Sequence, residues 1–406
     1  MDIEHISFSS SGGAGLVART LTDAQRKLGQ NAILSVLTDS DLRSNPLGRP
    51  LQTLATAFDN YVVGNMSAQT IGTFKRRDLD GLNRDSFNSD STIHLHWAEG
   101  VISREKIGGL VTVGQPVVWT MHDMAPFTAF CHHSFNCDQY YDNCGACPQA
   151  HKVFQKTVSV QFLANRSAFS IPRENFCVVA PTEWMANKAR KSAAFRAQRV
   201  EVVPNPIAEI FFQSQNRVKA RGSLGISPEH FVGIAIASDL ANKNKSIQNV
   251  VAGFFGGLSR SGKNGKLLLA GANGDYFAKN NPDVIDLGSL TQESLAEFAI
   301  GADVNISMSL AESSGLTIQE MGALSVPSVV LSGSGMNFLI DNGQNGLLVD
   351  SVESLSKTVS DLASNENLLA ALGSAAKISA GEMASPAIAA KRYLEIYQSL
   401  EIPRSN

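Results

Sequence analysis

Short apolar runs alternate along this chain with longer stretches in which apolar residues recur at helical spacing. The first run, residues 3–9, reads as a strand. It leads into Gly12, Gly13 and Gly15, after which Ala14, Val17, Ala18, Leu21 and Leu28 mark one face of a helix. Further strands are predicted at 32–37, 93–97, 117–121 and 176–180. From Leu42 to Asp90 the pattern is weak, and irregular structure or short elements are expected. A second series follows Pro204-Asn205-Pro206, with strand-like runs at 231–237, 266–270, 284–287, 303–308 and 328–331.

Strands alternating with helix-length segments predict parallel sheets covered by helices. Two such series predict an α/β protein of two doubly wound, Rossmann-like domains facing across a cleft. The Pro-Asn-Pro stretch and the polar segment 213–221 are the boundary candidates. The expected domains are 1–205 and 206–385, with a terminal helix at about 386–406 packing back on the first. Open parallel sheets bind ligands beyond the carboxyl ends of their strands, so the chemistry is expected on loops that follow strands.

Composition supports this reading. A chain of 406 residues exceeds one compact core. With 43% hydrophobic and 17% charged residues it is expected to fold as a soluble protein. The net charge of -3, with no basic stripe, gives no electrostatic footprint for nucleic acid, and no nucleic-acid partner is expected. The acidic start lacks the apolar core of a secretory signal, and the apolar runs are too short to span a bilayer. A cytoplasmic protein is therefore expected, with peripheral contact at the inner face of a membrane left open. Of five cysteines, Cys131, Cys137, Cys144 and Cys147 cluster and Cys177 stands apart. In a reducing compartment such a cluster reads as a metal site or buried thiols before disulfides.

The segment from Ser307 to Pro327 carries the most specific pattern. A strand ends near Met308, small polar residues and Gly315 form a tight turn, and a helix with Leu316, Ile318 and Met321 follows. Amides at the opening of that helix suit a diphosphate, and Gly315 lets the backbone approach it. Glu312, before the helix, and Glu320, inside it, can accept hydrogen bonds from sugar hydroxyls, an arrangement that discriminates strongly against substrates lacking them. The plainer alternative is one capping and one surface glutamate.

Two glutamates eight positions apart around Ser313-Ser314-Gly315-Leu316 resemble the signature of the retaining GT-B glycosyltransferases of family 4. Ser314 stands where that family usually has Phe, and Ser325 where it commonly has Gly. The resemblance implies that Glu312 contacts the donor sugar and Glu320 the nucleotide ribose. It also implies a glycine loop after the first strand, near the donor phosphates, best matched by Gly13 and then Gly12. Read alone, Gly13 to Ala18 fits a dinucleotide fingerprint with Asp39 downstream, or a turn that merely packs helix on strand. Such chains place an Arg and then a Lys at the end of the first strand of the second domain, to neutralise the diphosphate. Here Lys245 is the match and Lys243 the alternative; the Arg is missing, with Ser238 near its place. A solvated surface lysine is the plain alternative for either.

His122-Asp123 ends the run 117–121. The family has a His-Asp there, which implies that His122 holds the transferring sugar; a core histidine bonded to backbone is the alternative. A subset with polysaccharide-building roles resembles the next stretch too, a Cys-rich loop ending in Cys147-Pro148-Gln149, and His94 to Trp97. Cys144 and Cys147 form a chelating half-site that Cys131 and Cys137, or His132 and His133, would complete as structural zinc. Four protein ligands would close the site to catalysis.

The expected activity is hexosyl transfer with retention, independent of metal and of any further cofactor, from a UDP- or GDP-sugar to a glycan, lipid-linked or small-molecule hydroxyl in polysaccharide or glycoconjugate biosynthesis. Lys245 and the amides about Ser314, Gly315 and Leu316 would stabilise the leaving diphosphate. Three rivals remain: a metal-dependent transferase using Asp39 and Asp41, a nicotinamide-dependent oxidoreductase, and a catalytically silent sugar-nucleotide-binding protein.

Overall fold

A computed structural model of the chain describes residues 1–36, 91–98 and 102–400. Asp39, Asp41 and the whole weakly patterned stretch from Leu42 to Asp90 lie outside the described residues. The chain divides into two compact units, Met1–Asn205 with Ala387–Asn406, and Pro206–Pro386.

The first unit is built on six parallel strands: β1 (Asp2–Ser7), β2 (Asn31–Val36), β3 (Thr92–Leu95), β4 (Val117–Thr120), β5 (Phe176–Ala180) and β6 (Arg199–Val202). Their order is β2-β1-β3-β4-β5-β6. Strands β3, β4 and β5 are buried along their whole length, as expected where helices cover both faces of a parallel sheet. The helices Gly12–Lys27 and Pro386–Leu400 lie on one face, where Leu21, Ala24, Tyr393 and Tyr397 pack with Val118 and Val179. On the other face, Ile107, Val158, Phe162 and Met185 pack about Trp119. Pro386 opens the last helix, where a missing N–H costs nothing.

The second unit repeats the plan with β7 (Phe231–Asp239), β8 (Gly265–Ala272), β9 (Val284–Gly288), β10 (Val304–Ser307), β11 (Ser328–Leu331) and β12 (Gly346–Val349), ordered β12-β11-β10-β7-β8-β9. Asp303, just ahead of β10, accepts from Arg217, Arg221 and the Val232 amide, which ties the helix Arg217–Ser223 to the sheet.

Strands β6 and β12 have no counterpart among the predicted runs. Both lie at sheet edges and are partly exposed. An edge strand needs no continuous apolar run, and the Arg-Val-Glu-Val of β6 does not stand out from a loop.

In each sheet the strand order reverses once. The reversal falls between β1 and β3 in the first unit and between β7 and β10 in the second. Loops leaving adjacent strands part to opposite faces there and open a crevice at the carboxyl ends. The loops after β7 and β10 carry Lys245 and Glu312.

Candidate functional site

After β7 the chain makes two tight turns. Asp239 accepts from the Ala241 amide, and Asn242 accepts from the Asn244 amide. Ser246 adopts the left-handed conformation (φ 49°) and the helix Ile247–Ser261 begins. Asn244, sandwiched between two lysines, is buried. Its side-chain amide donates to the Ala311 carbonyl at 2.8 Å and accepts from the Ala311 N–H at 3.0 Å. Its own carbonyl accepts from the Leu310 N–H at 2.9 Å. These bonds staple the loop after β7 to the loop after β10, and Lys245 and Glu312 meet as neighbours of the staple. The Lys245 ammonium donates to Glu312 Oε1, and each side chain is about a fifth exposed. Glu312 is also held from behind, its amide donating to the Ser334 carbonyl at 2.8 Å. Ser238 and Lys243 stand exposed on the same stretch.

Gly315 is the hinge into the helix Leu316–Ala323. It is left-handed (φ 58°), and a Cβ there would lie 2.6 Å from Leu339 Cδ1. The dihedral favours glycine, and any side chain would also have to push the end of Leu339 aside. Ser314 and Leu316 flank it, partly exposed, at the helix N-terminus where backbone N–H groups attract anions. Glu320 points inward and is 5% exposed. Burial lifts its carboxyl to about 7, opposed by a hydrogen bond from Gln292. Glu320 is thus an interior carboxyl at the carboxyl end of the sheet, within reach of the helix that follows β9.

The helix ends in a Schellman motif. The Val326 N–H donates to the Met321 carbonyl at 2.9 Å and the Ser325 N–H to the Gly322 carbonyl at 2.8 Å. Ser325 is left-handed (φ 63°), so the departure from glycine falls on a position whose backbone favours glycine.

In the first unit, Gly12 (φ 71°) and Gly13 are exposed and open the helix that follows β1. Gly15 is a packing residue: a Cβ would lie 2.3 Å from the Ser9 carbonyl oxygen. This close approach accounts for one glycine of the fingerprint without any ligand. His122 follows β4, partly exposed, with Nε2 3.1 Å from Nδ1 of the buried His96. Burial lowers the His122 pKa to about 4, despite the neighbouring Asp123 charge. Asp123 is fixed by the Ala125 amide at 2.8 Å, the Trp97 indole N–H at 3.2 Å and His132 Nδ1 at 3.3 Å.

The five cysteines are free thiols. Cys131, Cys144 and Cys147 are buried and Cys137 partly so, and burial raises the pKa of each, that of Cys144 to about 12. Cys144, Cys147 and Cys137 lie near enough to Cys131 to push its thiol up further. Among the described residues, the side chains whose ligand atoms gather within 4.8 Å of one another are His5, His94 and His96; the cysteines are not in that group.

Sequence reasoning missed Asn244, Ser334, Gln292 and the partners of His122. An asparagine between two lysines reads as a turn residue, and its role as a staple depends on a loop 67 positions away. The histidines were more legible. His5, His94 and His96 interrupt apolar strands two positions apart or at paired register, His5 opposite His94, and polar side chains inside a covered sheet need partners.

Residues 233–365 match the family model described as Glycosyl transferases group 1. Alpha-monoglucosyldiacylglycerol synthase of Acholeplasma laidlawii is 26% identical over 182 residues, 43% of this chain and 45% of that protein. The chain therefore spans under half the length of this curated relative. Sucrose-phosphate synthase from Thermosynechococcus elongatus superposes with a TM-score of 0.65 at 15% identity, over 98% of both chains. HepE of Anabaena, in complex with UDP and glucose, superposes with a TM-score of 0.62 at 15% identity, over 98% of this chain and 100% of that one. The fold is thus GT-B, two parallel six-stranded sheets flanked by helices. Its second unit carries a glycosyl transferases group 1 domain. Among the described residues no helix is long and apolar enough to cross a membrane.

Proposed function

We propose that the chain transfers a hexosyl group, with retention and without a catalytic metal, from a UDP- or GDP-sugar to a hydroxyl of a glycan, lipid-linked or small-molecule acceptor. The observation that carries the reading is the Lys245–Glu312 pair, set at the strand-order reversal of the second unit beside the Gly315 helix N-terminus. A cation paired with a carboxylate, and the opening of a helix close to that carboxylate along the chain, suit a sugar diphosphate. HepE, of the same fold, is bound to UDP and glucose.

In this reading the donor's glycosidic C–O bond breaks as charge builds on the diphosphate. Lys245 and the amides about Ser314, Gly315 and Leu316 stabilise that charge. The acceptor oxygen attacks on the face the diphosphate leaves, and a phosphate oxygen takes the hydroxyl proton. Glu312 bonds the donor sugar and Glu320 the ribose. His122 bonds a sugar hydroxyl, and Gly12 and Gly13 let the chain approach the donor phosphates. Ser238 and Lys243 flank the diphosphate, with Lys243 the second cation where an Arg is missing. The first unit, residues 1–205 with the terminal helix, is proposed to take the acceptor, and residues 206–385 the donor.

For the loop 131–147 the proposal is a structural zinc on Cys131, Cys137, Cys144 and Cys147, supported by thiols close enough to perturb one another. The sulfurs would have to draw together and lose their protons to bind it. One zinc per purified chain, lost on Cys144→Ser, supports it; a metal-free, fully folded chain overturns it. Peripheral membrane contact is proposed at the helix Gln155–Ala168 and the turn before it, where Val153, Val160 and Leu163 are exposed near Lys152 and Lys156. Flotation with anionic vesicles, lost on Leu163→Glu, tests it.

Thermal shift against UDP-, GDP- and ADP-sugars tests the core of the reading, because a specific donor raises apparent stability by mass action. Turnover of the stabilising donor in the presence of a chelator is expected. Stabilisation by NADH, or activity restored only by manganese, overturns the reading.

A further inference from the structure

Four histidines of the first unit belong to one hydrogen-bonded chain that ends at His122. His122 Nε2 lies 3.1 Å from His96 Nδ1, His96 Nε2 lies 3.0 Å from His5 Nδ1, and His5 Nε2 lies 2.8 Å from Gln25 Oε1. Gln25 Nε2 lies 3.1 Å from the Tyr397 hydroxyl, which is 2.6 Å from His94 Nδ1. His94 Nε2 lies 2.8 Å from Thr120 Oγ1, itself 2.7 Å from the Tyr393 hydroxyl. Every member except His122 is at most 1% exposed.

Burial holds all four imidazoles neutral near neutral pH, with His5 and His122 lowered to about 4 and His94 and His96 well below the ordinary value. A neutral imidazole has one N–H and one lone pair. Once one ring nitrogen donates, the other must accept, so the direction of a single bond fixes the whole row. Only two proton arrangements are self-consistent, and the orientation of the Gln25 amide separates them.

Two distances choose. If Gln25 Nε2 faces Tyr397, the 3.1 Å bond is an N–H donating to oxygen and the 2.6 Å bond is the phenol O–H donating to His94. Each length is then ordinary for its donor. With the amide reversed, a phenol O–H would span 3.1 Å and an imidazole N–H would be compressed to 2.6 Å. The first arrangement leaves Gln25 Oε1 as acceptor from His5 Nε2–H. His5 Nδ1 then accepts from His96 Nε2–H, and His96 Nδ1 accepts from His122 Nε2–H.

A metal does not fit this junction. The ligand atoms of His5, His94 and His96 lie within 4.8 Å of one another, but both ring nitrogens of all three are already engaged.

We propose that Gln25, acting through His5 and His96, fixes His122 as the Nε2–H tautomer and leaves Nδ1 as a lone pair that accepts a hydrogen bond from a substrate hydroxyl. The proposal rests on the reading that His122 contacts the sugar. It narrows that contact to a hydroxyl that donates, so a donor sugar carrying fluorine in its place is rejected. Gln25, His5 and His96 are positioning residues, and Nδ1 of His122 has no partner among the described residues.

The test is a long-range proton–nitrogen correlation spectrum of the full chain labelled at histidine. The expected result at neutral pH is a single His122 tautomer, protonated at Nε2 and bare at Nδ1. In Gln25→Met, similar in volume but unable to accept, His122 should populate both tautomers, and kcat/KM for the donor should fall about tenfold. Gln25→Glu, which still accepts from His5, should restore the single tautomer. An Nδ1–H tautomer or a charged imidazole in the native chain overturns the proposal, as does an unchanged spectrum in Gln25→Met. Should Gln25→Met fail to fold, the native spectrum alone decides. That spectrum needs no turnover, so a chain with the expected tautomer but inert toward every sugar nucleotide refutes the functional reading and leaves the relay standing.

Discussion

Lys245 and Glu312, 67 positions apart, form an ion pair at the reversal point of the second sheet. Each charge neutralises the other, and under the proposed function a diphosphate would have to take Lys245 away from its partner. The two substitutions should therefore separate. Lys245→Ala removes the cation and leaves a half-buried carboxylate facing the phosphates, so UDP affinity should fall about 10- to 100-fold. Glu312→Ala frees the ammonium, so UDP should bind as well or better, while sugar transfer falls at least about 100-fold. Calorimetry with UDP and a turnover assay check both. Equal losses of UDP affinity in the two variants would remove the pair from the phosphate site.

The pair depends on Asn244, whose two side-chain bonds hold the Ala311 backbone. Asn244→Ala leaves a buried N–H and C=O without partners, at a cost of about 1–3 kcal/mol each. The expected result is a lower thermal midpoint together with weaker UDP binding, because the two loops drift apart. Asn244→Asp keeps the acceptor but not the donor and should be intermediate. Native UDP affinity in a destabilised Asn244→Ala would show that the staple serves folding alone.

The fold was legible wherever the chain is buried on both sides. Strands β4, β5 and β7 are largely apolar runs because helices cover both faces, and the motif from Glu312 to Pro327 shows its turn and helix directly. The edges β6 and β12 were not legible, since half-exposed strands need no such run. Of the candidate site, the titratable side chains stand out in the sequence: Lys245, Glu312, Glu320 and His122. The residues that place them do not. Asn244 and Gln25 act through contacts 67 and 20 or more positions away, and nothing local distinguishes them from a turn asparagine or a helix glutamine.

Ser325 occupies the left-handed position of the Schellman motif that ends the Glu320 helix. A left-handed backbone costs a residue with a Cβ about 1–2 kcal/mol, and glycine returns part of that as unfolded-state entropy of about 0.5–1 kcal/mol. Ser325→Gly should therefore stabilise the protein by about 0.5–1 kcal/mol. Denaturant titration reads the gain directly. A branched residue there, as in Ser325→Val, should cost more than serine does. A loss of stability in Ser325→Gly would mean that the Ser325 side chain has a role beyond the cap.

Glu320 gives the protein a pH dependence of definite sign. Its folded pKa is raised to about 7 from an ordinary value of 4.5. Between those values the native state keeps a proton that the unfolded chain has lost, so the stability owed to this group falls as pH rises through the window. It is fully present below about pH 4.5 and gone above about pH 7, a change of about 3 kcal/mol. Glu320→Gln stays neutral throughout. Its stability relative to the native chain should climb from about pH 4.5 to about 7 and then level off. The same ionisation sets the affinity for a nucleotide if Glu320 receives the ribose hydroxyls. A carboxylate accepts more strongly than a carboxylic acid, so UDP affinity should rise through about pH 7 in the native chain and stay flat in Glu320→Gln. Denaturant titrations and UDP calorimetry across that range measure the two effects separately. Parallel stability curves would place the Glu320 pKa near its ordinary value, and an equally steep rise in UDP affinity in Glu320→Gln would assign the titration to another group.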